Sequence, residues 1–181
     1  PAALPEPVLE RAQAEFLNWS DIGASVMEVS HRSPAFMEVA QRAEASLRRL
    51  LAVSDDYAVL FLQGGASLQF AAVPLNLSAP GQSADQVVTG QWSKKALLEG
   101  QRFGSVNVAA TSEGSGFTTV PPQEAWQLDS SAAYLHYCPN ETIGGLEFDF
   151  VPQIDVPLVA DMSSTILSRP IDVNQFGVIY A

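Results

Sequence analysis

An aspartate placed directly after a short apolar run needs something to compensate its charge. In Val159-Ala160-Asp161-Met162-Ser163-Ser164 the carboxylate follows what reads as a buried strand, where an unpaired charge carries a heavy desolvation cost. A protonated pyridine nitrogen is one compensating partner; capping of the following turn is the plainer use of the same side chain. Gln63-Gly64-Gly65-Ala66-Ser67 is a second place of interest. Its glycines let a backbone approach closely, the helix that follows offers unpaired N–H groups to an anion, and Ser67 adds a hydroxyl. The pattern matches neither nucleotide-binding glycine motif, so it speaks for phosphate in general, or for a tight strand-to-helix turn alone. In Gly90-Gln91-Trp92 an aromatic ring follows another strand, placed to stack on a planar ligand or to anchor the next helix. His136-Tyr137-Cys138-Pro139-Asn140-Glu141-Thr142 ends a strand in polar groups. Cys138 and His136 invite a nucleophile pair, although a lone cysteine more simply packs as a small apolar group. Asn140 and Thr142 are the better candidates as ligand hydrogen-bond partners. Arg32 and Arg169 carry planar forks suited to carboxylate or phosphate, or to solvent.

These positions matter because of the elements that carry them. Leu9, Ala12, Phe16 and Trp19 predict a helix from Pro5 to Trp19. Ser33-Pro34 reads as an N-cap followed by proline at the first helical position, opening a helix to Leu51 with Phe36, Val39, Ala40, Ala43 and Leu47 on one face. Tyr57 to Leu62 is a continuous apolar run, expected as a strand covered on both faces. Helices are predicted over Ala66–Leu75 and Ser93–Glu99, and strands over Gln86–Thr89, Val106–Ala109, Ala132–Tyr137, Val156–Ala160 and Val178–Tyr180. Thr111 to Gln127 is rich in Gly, Thr, Ser and Pro and reads as loop with room for a short hairpin. Helices alternating with apolar strands predict an α/β fold around a mainly parallel sheet. In such sheets, ligands sit beyond the carboxyl ends of the strands, where all four candidate stretches fall.

Composition narrows the classes. Nine basic against 20 acidic residues, a net charge of -11, argue against a nucleic-acid surface. An anionic ligand must then be captured locally by arginines or backbone N–H groups. A single cysteine leaves no disulfide within the chain, and two histidines make a structural zinc site improbable. No apolar run reaches the roughly 18 residues of a membrane span, and Pro1 opens into a helical pattern without a signal peptide, so the cytoplasm is the expected compartment. The lack of an initiator Met, and a chain that stops at Ala181 on an apparent core strand, give the expectation of a fragment.

In order along the chain, the stretches Val26–Arg32, Phe61–Asn76, Gly90–Ser93, His136–Ile143, Asp161–Ser164 and Ser168–Pro170 resemble the phosphoserine aminotransferase family, class V enzymes of fold-type I that use pyridoxal 5'-phosphate (PLP). The resemblance runs over essentially the whole chain, and the His-Tyr-Cys-Pro-Asn-Glu-Thr and Asp-x-Ser-Ser-x-Ile-x-Ser-Arg-Pro strings are its most specific parts. It implies that residues 1–181 form part of a large PLP-binding domain, with the remainder of that domain and a small C-terminal domain outside them. It implies transamination between L-glutamate and 3-phosphohydroxypyruvate, giving O-phospho-L-serine and 2-oxoglutarate for serine and pyridoxine biosynthesis, by a cytoplasmic homodimer with sites at its interface. No metal, nucleic acid or membrane is implied.

Carried over by the resemblance, Ala66 and Ser67 hold the cofactor phosphate, Trp92 stacks on its ring, Thr142 bonds near its hydroxyl, Asp161 pairs with its nitrogen and Arg32 meets the substrate carboxylate. The family's Schiff-base lysine belongs just beyond Ala181, so no catalytic residue is assigned within this chain; Lys94 and Lys95 match no family lysine. Some members carry Gly-Arg where this chain has Ala66-Ser67, which points to a subgroup. A catalytically inactive PLP-binding fragment, or another fold-type I enzyme such as an alanine–glyoxylate aminotransferase or cysteine desulfurase, are the alternatives.

Overall fold

The computed structural model describes residues 3–181; the reading of Pro1 as a helix opening lies outside them. The chain divides into two compact units, one ending at Val59 and one running from Leu60 to Ala181.

In the first unit, α1 spans Glu6–Ala14 and α2 spans Pro34–Leu51. The helix α1 stops before the expected Trp19, which is instead buried in a 3-10 turn, Trp19–Asp21. Beyond the helix, Asn18 Oδ1 accepts from Gly23 N at 2.7 Å, a local side-chain bond that closes the loop around Trp19. The second helix begins where its signals lie, with Ser33 Oγ accepting from Phe36 N at 3.2 Å and Pro34 in the first turn. Its apolar stripe is half-buried at Phe36, Val39, Ala40 and Leu47, and only Leu51 is fully buried. Arg48 bonds Glu44 Oε1 at 2.9 Å and the carbonyls of Ser54 and Tyr57 at 3.0 Å, binding the segment after α2 back onto its last turn.

The expected strand at Tyr57 to Leu62 does not form. The run joins no ladder, and Leu60, Phe61 and Leu62 are 63–70% exposed. Arg48 already takes the Tyr57 carbonyl, and an apolar run alone does not supply a neighbouring strand.

The second unit begins with α3, Gly65–Leu77, followed by β1 (Ala84–Val88), α4 (Gln91–Gly100), β2 (Val106–Thr111), β3 (Leu135–Tyr137), the short pair β4 (Asn140–Glu141) and β5 (Leu146–Glu147), β6 (Leu158–Asp161) and β7 (Val178–Tyr180). Five strands make one sheet in the order β2-β1-β3-β6-β7, every neighbouring pair parallel. The α/β class with a mainly parallel sheet is the one expected. Among the described residues the hairpin is β4–β5; Thr111 to Gln127 holds 3-10 turns at Glu113–Ser115 and Gln123–Ala125.

The sheet separates two cores. Toward α3 and α4 lie Phe70, Val73, Ala84, Ala96, Tyr134, Val159 and Tyr180. The other face is covered by irregular segments whose aromatics do the packing: Phe148 meets Trp126 and, from the sheet, Tyr137 of β3 edge to face, with ring centroids 6.4 and 5.3 Å apart. Each such side chain, fully buried, contributes about 1.5–3 kcal/mol. Two polar residues enter the strands with hydrogen-bond partners that offset their desolvation. Asp85 accepts from Asn107 Nδ2 at 2.7 Å and Asp129 N at 2.9 Å, and Gln86 Nε2 meets His136 Nδ1 at 2.8 Å.

The order β2-β1-β3 is the feature that makes a site. From β1 the chain crosses to β2 on one side, then returns to β3 on the other, so the connections leave the carboxyl edge in opposite directions and open a crevice there.

Candidate active site at the carboxyl edge of the sheet

At the start of α3, Gly64 and Gly65 both adopt left-handed backbone, φ +96° and +60°. A Cβ on Gly64 would stand 2.6 Å from Leu68 Cδ2, so both conformation and space require glycine. No side chain caps this helix. Its first-turn N–H groups, with the positive end of the helix dipole, remain open to an anion. Ala66 is half-buried and Ser67 exposed within that turn.

At the tip of β1 the chain turns through Thr89 and Gly90 into α4. Trp92 is half-buried, and the Lys95 ammonium stands 4.3 Å from its ring centroid, occupying one of the two faces. This helix end is already filled. The Glu141 carboxylate, 1% exposed, accepts from Trp92 N at 2.9 Å through Oε2, and from Ser93 N at 2.8 Å and Ser93 Oγ at 2.5 Å through Oε1. Glu141 was not singled out in the sequence. Its partners lie 48 and 49 residues away, and the one available signal was an acidic residue closely following a buried strand.

At the tip of β6, Asp161 is 7% exposed. Its Oδ1 accepts from Ser163 N at 3.1 Å and Ser163 Oγ at 2.5 Å, and its Oδ2 faces the Cys138 thiol at 3.9 Å. Among the described residues no Lys, Arg or His pairs with it. Burial, reinforced by the nearby Glu141 charge, raises its pKa, while the two Ser163 bonds hold it down. A carboxylate so placed favours a cation beside it.

The tips of β1, β3 and β6 are therefore tied together: Trp92 and Ser93 to Glu141, Cys138 to Asp161, and Asn140 Nδ2 to Ser164 Oγ at 2.9 Å. Thr142 follows Glu141 directly, exposed in the β4–β5 hairpin. Arg32 belongs to the other unit, exposed just ahead of α2, with its N–H donated to Ser30 Oγ at 3.3 Å. Arg169 pairs with Glu147 at 2.7 Å.

Cys138 and His136 form no nucleophile pair. Both ring nitrogens of His136 are engaged, Nδ1 by Gln86 and Nε2 by Tyr180 Oη at 2.7 Å, and burial lowers its pKa to about 3. Burial and the carboxylates of Asp161 and Glu141 push the Cys138 thiol well above its usual range, the reverse of an activated thiol.

The donor set fits a phosphorylated, cationic heteroaromatic. One helix end, that of α3, carries no side-chain cap, an indole follows the tip of β1 at Trp92, and the buried carboxylate of Asp161 has no basic partner among the described residues. The chain belongs to the class-V aminotransferases, the family profile matching residues 1–181. Among curated relatives, the phosphoserine aminotransferases of Ectopseudomonas mendocina (strain ymp) and Pseudomonas putida (strain KT2440) are 62% and 61% identical over 182 residues, covering all of this chain and 50% of theirs. The solved phosphoserine aminotransferase from Bacillus circulans subsp. alkalophilus superposes with a TM-score of 0.94 at 51% identity, over 99% of this chain and 50% of that one. The PLP-bound phosphoserine aminotransferase from Trichomonas vaginalis gives 0.87 at 43% identity, over 99% and 51%. An alanine–glyoxylate aminotransferase from Nostoc sp., 18% identical with a TM-score of 0.69, shares the fold. The chain spans about half the length of the curated relatives it matches.

Proposed function

We propose that this chain is the cofactor-binding half of a PLP-dependent phosphoserine aminotransferase, which moves the amino group of L-glutamate to 3-phosphohydroxypyruvate and yields O-phospho-L-serine and 2-oxoglutarate. The observation that carries the reading is Asp161, a buried carboxylate without a basic partner at the tip of a parallel strand. Pyridoxal phosphate, when bound, supplies an electron sink for the carbon that gives up its amino group.

The protein's own residues bind and orient. Ala66 and Ser67 present the open end of α3 to the phosphate. Trp92 lays an indole face against the ring, Thr142 bonds near its hydroxyl, and Asp161, ionised, holds the ring nitrogen in its protonated form. Arg32 takes the substrate carboxylate through its planar fork. The amine that the chemistry requires comes from the part of the relatives' length that this chain does not span. Lys94 is paired with Glu113 at 3.2 Å, and Lys95 lies over the Trp92 ring. Residues 1–181 belong to the large domain of a cytoplasmic homodimer that has a further small domain.

Steady-state assay of the complete protein with L-glutamate against a panel of 2-oxo acids tests this. A kcat/KM for 3-phosphohydroxypyruvate far above those for pyruvate and glyoxylate is expected, and indifference to the phosphorylated acid overturns the substrate assignment.

A further inference from the structure

We infer that Glu141 is a positioning residue of the cofactor site: its buried carboxylate fixes the ring of Trp92 and reserves the end of α3 for phosphate. The inference rests on the proposed PLP reading and adds a residue to it. Glu141 is 1% exposed, yet it makes no ion pair among the described residues. Its charge is met by the start of α4. Two backbone N–H groups, of Trp92 and Ser93, and the Ser93 hydroxyl converge on its two oxygens at 2.5–2.9 Å. Ser93 Oγ in turn accepts from Thr89 N at 2.9 Å and Gly90 N at 3.0 Å. Two side chains thus satisfy four consecutive-turn amides between β1 and α4, the turn from which Trp92 projects.

The fit leaves no slack. Gly90 has extended backbone that any residue adopts, φ 174°, but a Cβ there would stand 2.5 Å from Glu141 Cδ and 2.6 Å from Oε2. The glycine is required by the carboxylate's position, not by the turn. Because Thr142 follows Glu141 in the chain, one side chain bridges two of the residues assigned to the ligand. The charge has a second effect. The helix α4 begins at this edge, and the N-terminus of α4, like that of α3, favours an anion. Glu141 supplies α4 with its anion from within the protein, while α3 has no capping side chain. Of the two helix ends, α3 is the one left for a phosphate.

The test is a double-mutant cycle on the full-length apoenzyme, titrated with PLP and read by visible absorbance and visible circular dichroism. Glu141→Gln keeps the shape and removes the charge, and should weaken PLP about 10- to 30-fold and alter the dichroism of the bound cofactor, with the far-ultraviolet spectrum unchanged. Trp92→Ala should also weaken PLP. In the Trp92→Ala background, Glu141→Gln should cost less than about threefold, since the ring it positions is gone. Ser93→Ala, which removes the hydroxyl between the carboxylate and the Thr89 and Gly90 amides while leaving the Glu141 charge in place, should shift affinity in the same direction with the same dependence on Trp92, and it decides the matter if Glu141→Gln does not fold. A wild-type protein that takes up no PLP refutes the site reading and this inference with it. Trp92→Ala weakened, with Glu141→Gln and Ser93→Ala either undisturbed or multiplying independently of Trp92, refutes the inference alone.

Discussion

The His136 imidazole is enclosed so completely that acid should unfold the protein through it. Gln86 Nε2 donates to Nδ1, so Nε2 carries the ring proton and donates to Tyr180 Oη. A second ring proton would meet the Gln86 amide hydrogens, and no solvent reaches the ring to stabilise the charge. Burial accordingly lowers the pKa from 6.5 to about 3. The unfolded chain takes up this proton near pH 6.5 and the folded one does not, so the stabilisation is complete above pH 6.5 and is lost as pH falls from there toward 3. At about 1.4 kcal/mol per pH unit, the one and a half units between 6.5 and pH 5 amount to about 2 kcal/mol. Replacing the histidine by glutamine abolishes this dependence while other groups titrate as before. Urea denaturation of wild type and His136→Gln at pH 7 and pH 5 measures the difference. The stability gap should move by about 2 kcal/mol in the variant's favour on acidification. A gap that stays constant between the two pH values refutes the enclosed, neutral imidazole.

Gly90→Ala should destabilise the apoprotein by about 2–4 kcal/mol by driving the Glu141 carboxylate off the α4 amides; combined with Glu141→Ala, which makes room, the cost in thermal or urea midpoint should fall well below the sum of the two. Asp161→Asn should weaken PLP on the order of 30-fold or more by equilibrium titration, the loss expected for one partner of a desolvated charge pair. Because burial raises the pKa of Asp161, PLP affinity in the wild type should decline on acidification at a higher pH than an ordinary carboxylate gives, and the Asn variant should lack that decline. Arg32→Ala should raise KM for both amino- and oxo-acid substrates by roughly 10-fold or more with kcat changed little, since a carboxylate clamp binds ground and transition states alike.

Much of the fold is written in local chemistry. Ser33-Pro34 set the start of α2, the glycines after Gln63 set the start of α3, and apolar runs located β1, β2, β3, β6 and β7 to within a few residues. The burial of Asp161 at the tip of β6 was legible from the apolar run just before it, and the left-handed turn into α3 from Gly64 and Gly65 themselves, although the strand expected before that turn does not form. What escaped depends on distant partners. Tyr57 to Leu62 has the composition of a strand, but pairing is decided by whether another strand lies alongside. Glu141 was passed over because a glutamate reveals burial only through the residues that satisfy it, here nearly fifty positions earlier. Likewise, His136 next to Cys138 suggested chemistry that Gln86 and Tyr180, on other strands, remove.

The bare segment Leu60-Phe61-Leu62 carries a consequence for how this polypeptide behaves in solution. Three adjacent apolar side chains, about two-thirds exposed and outside any ladder, form an adhesive strip of the kind that recruits a second molecule. A net charge of -11 keeps neighbours apart while ionic strength is low. Adding salt shortens that repulsion to about 3 Å at 1 M and strengthens apolar contact, so association of the 181-residue chain should rise with ionic strength. Light scattering across a salt series should show a sharp onset of association, and Phe61→Glu should move that onset upward.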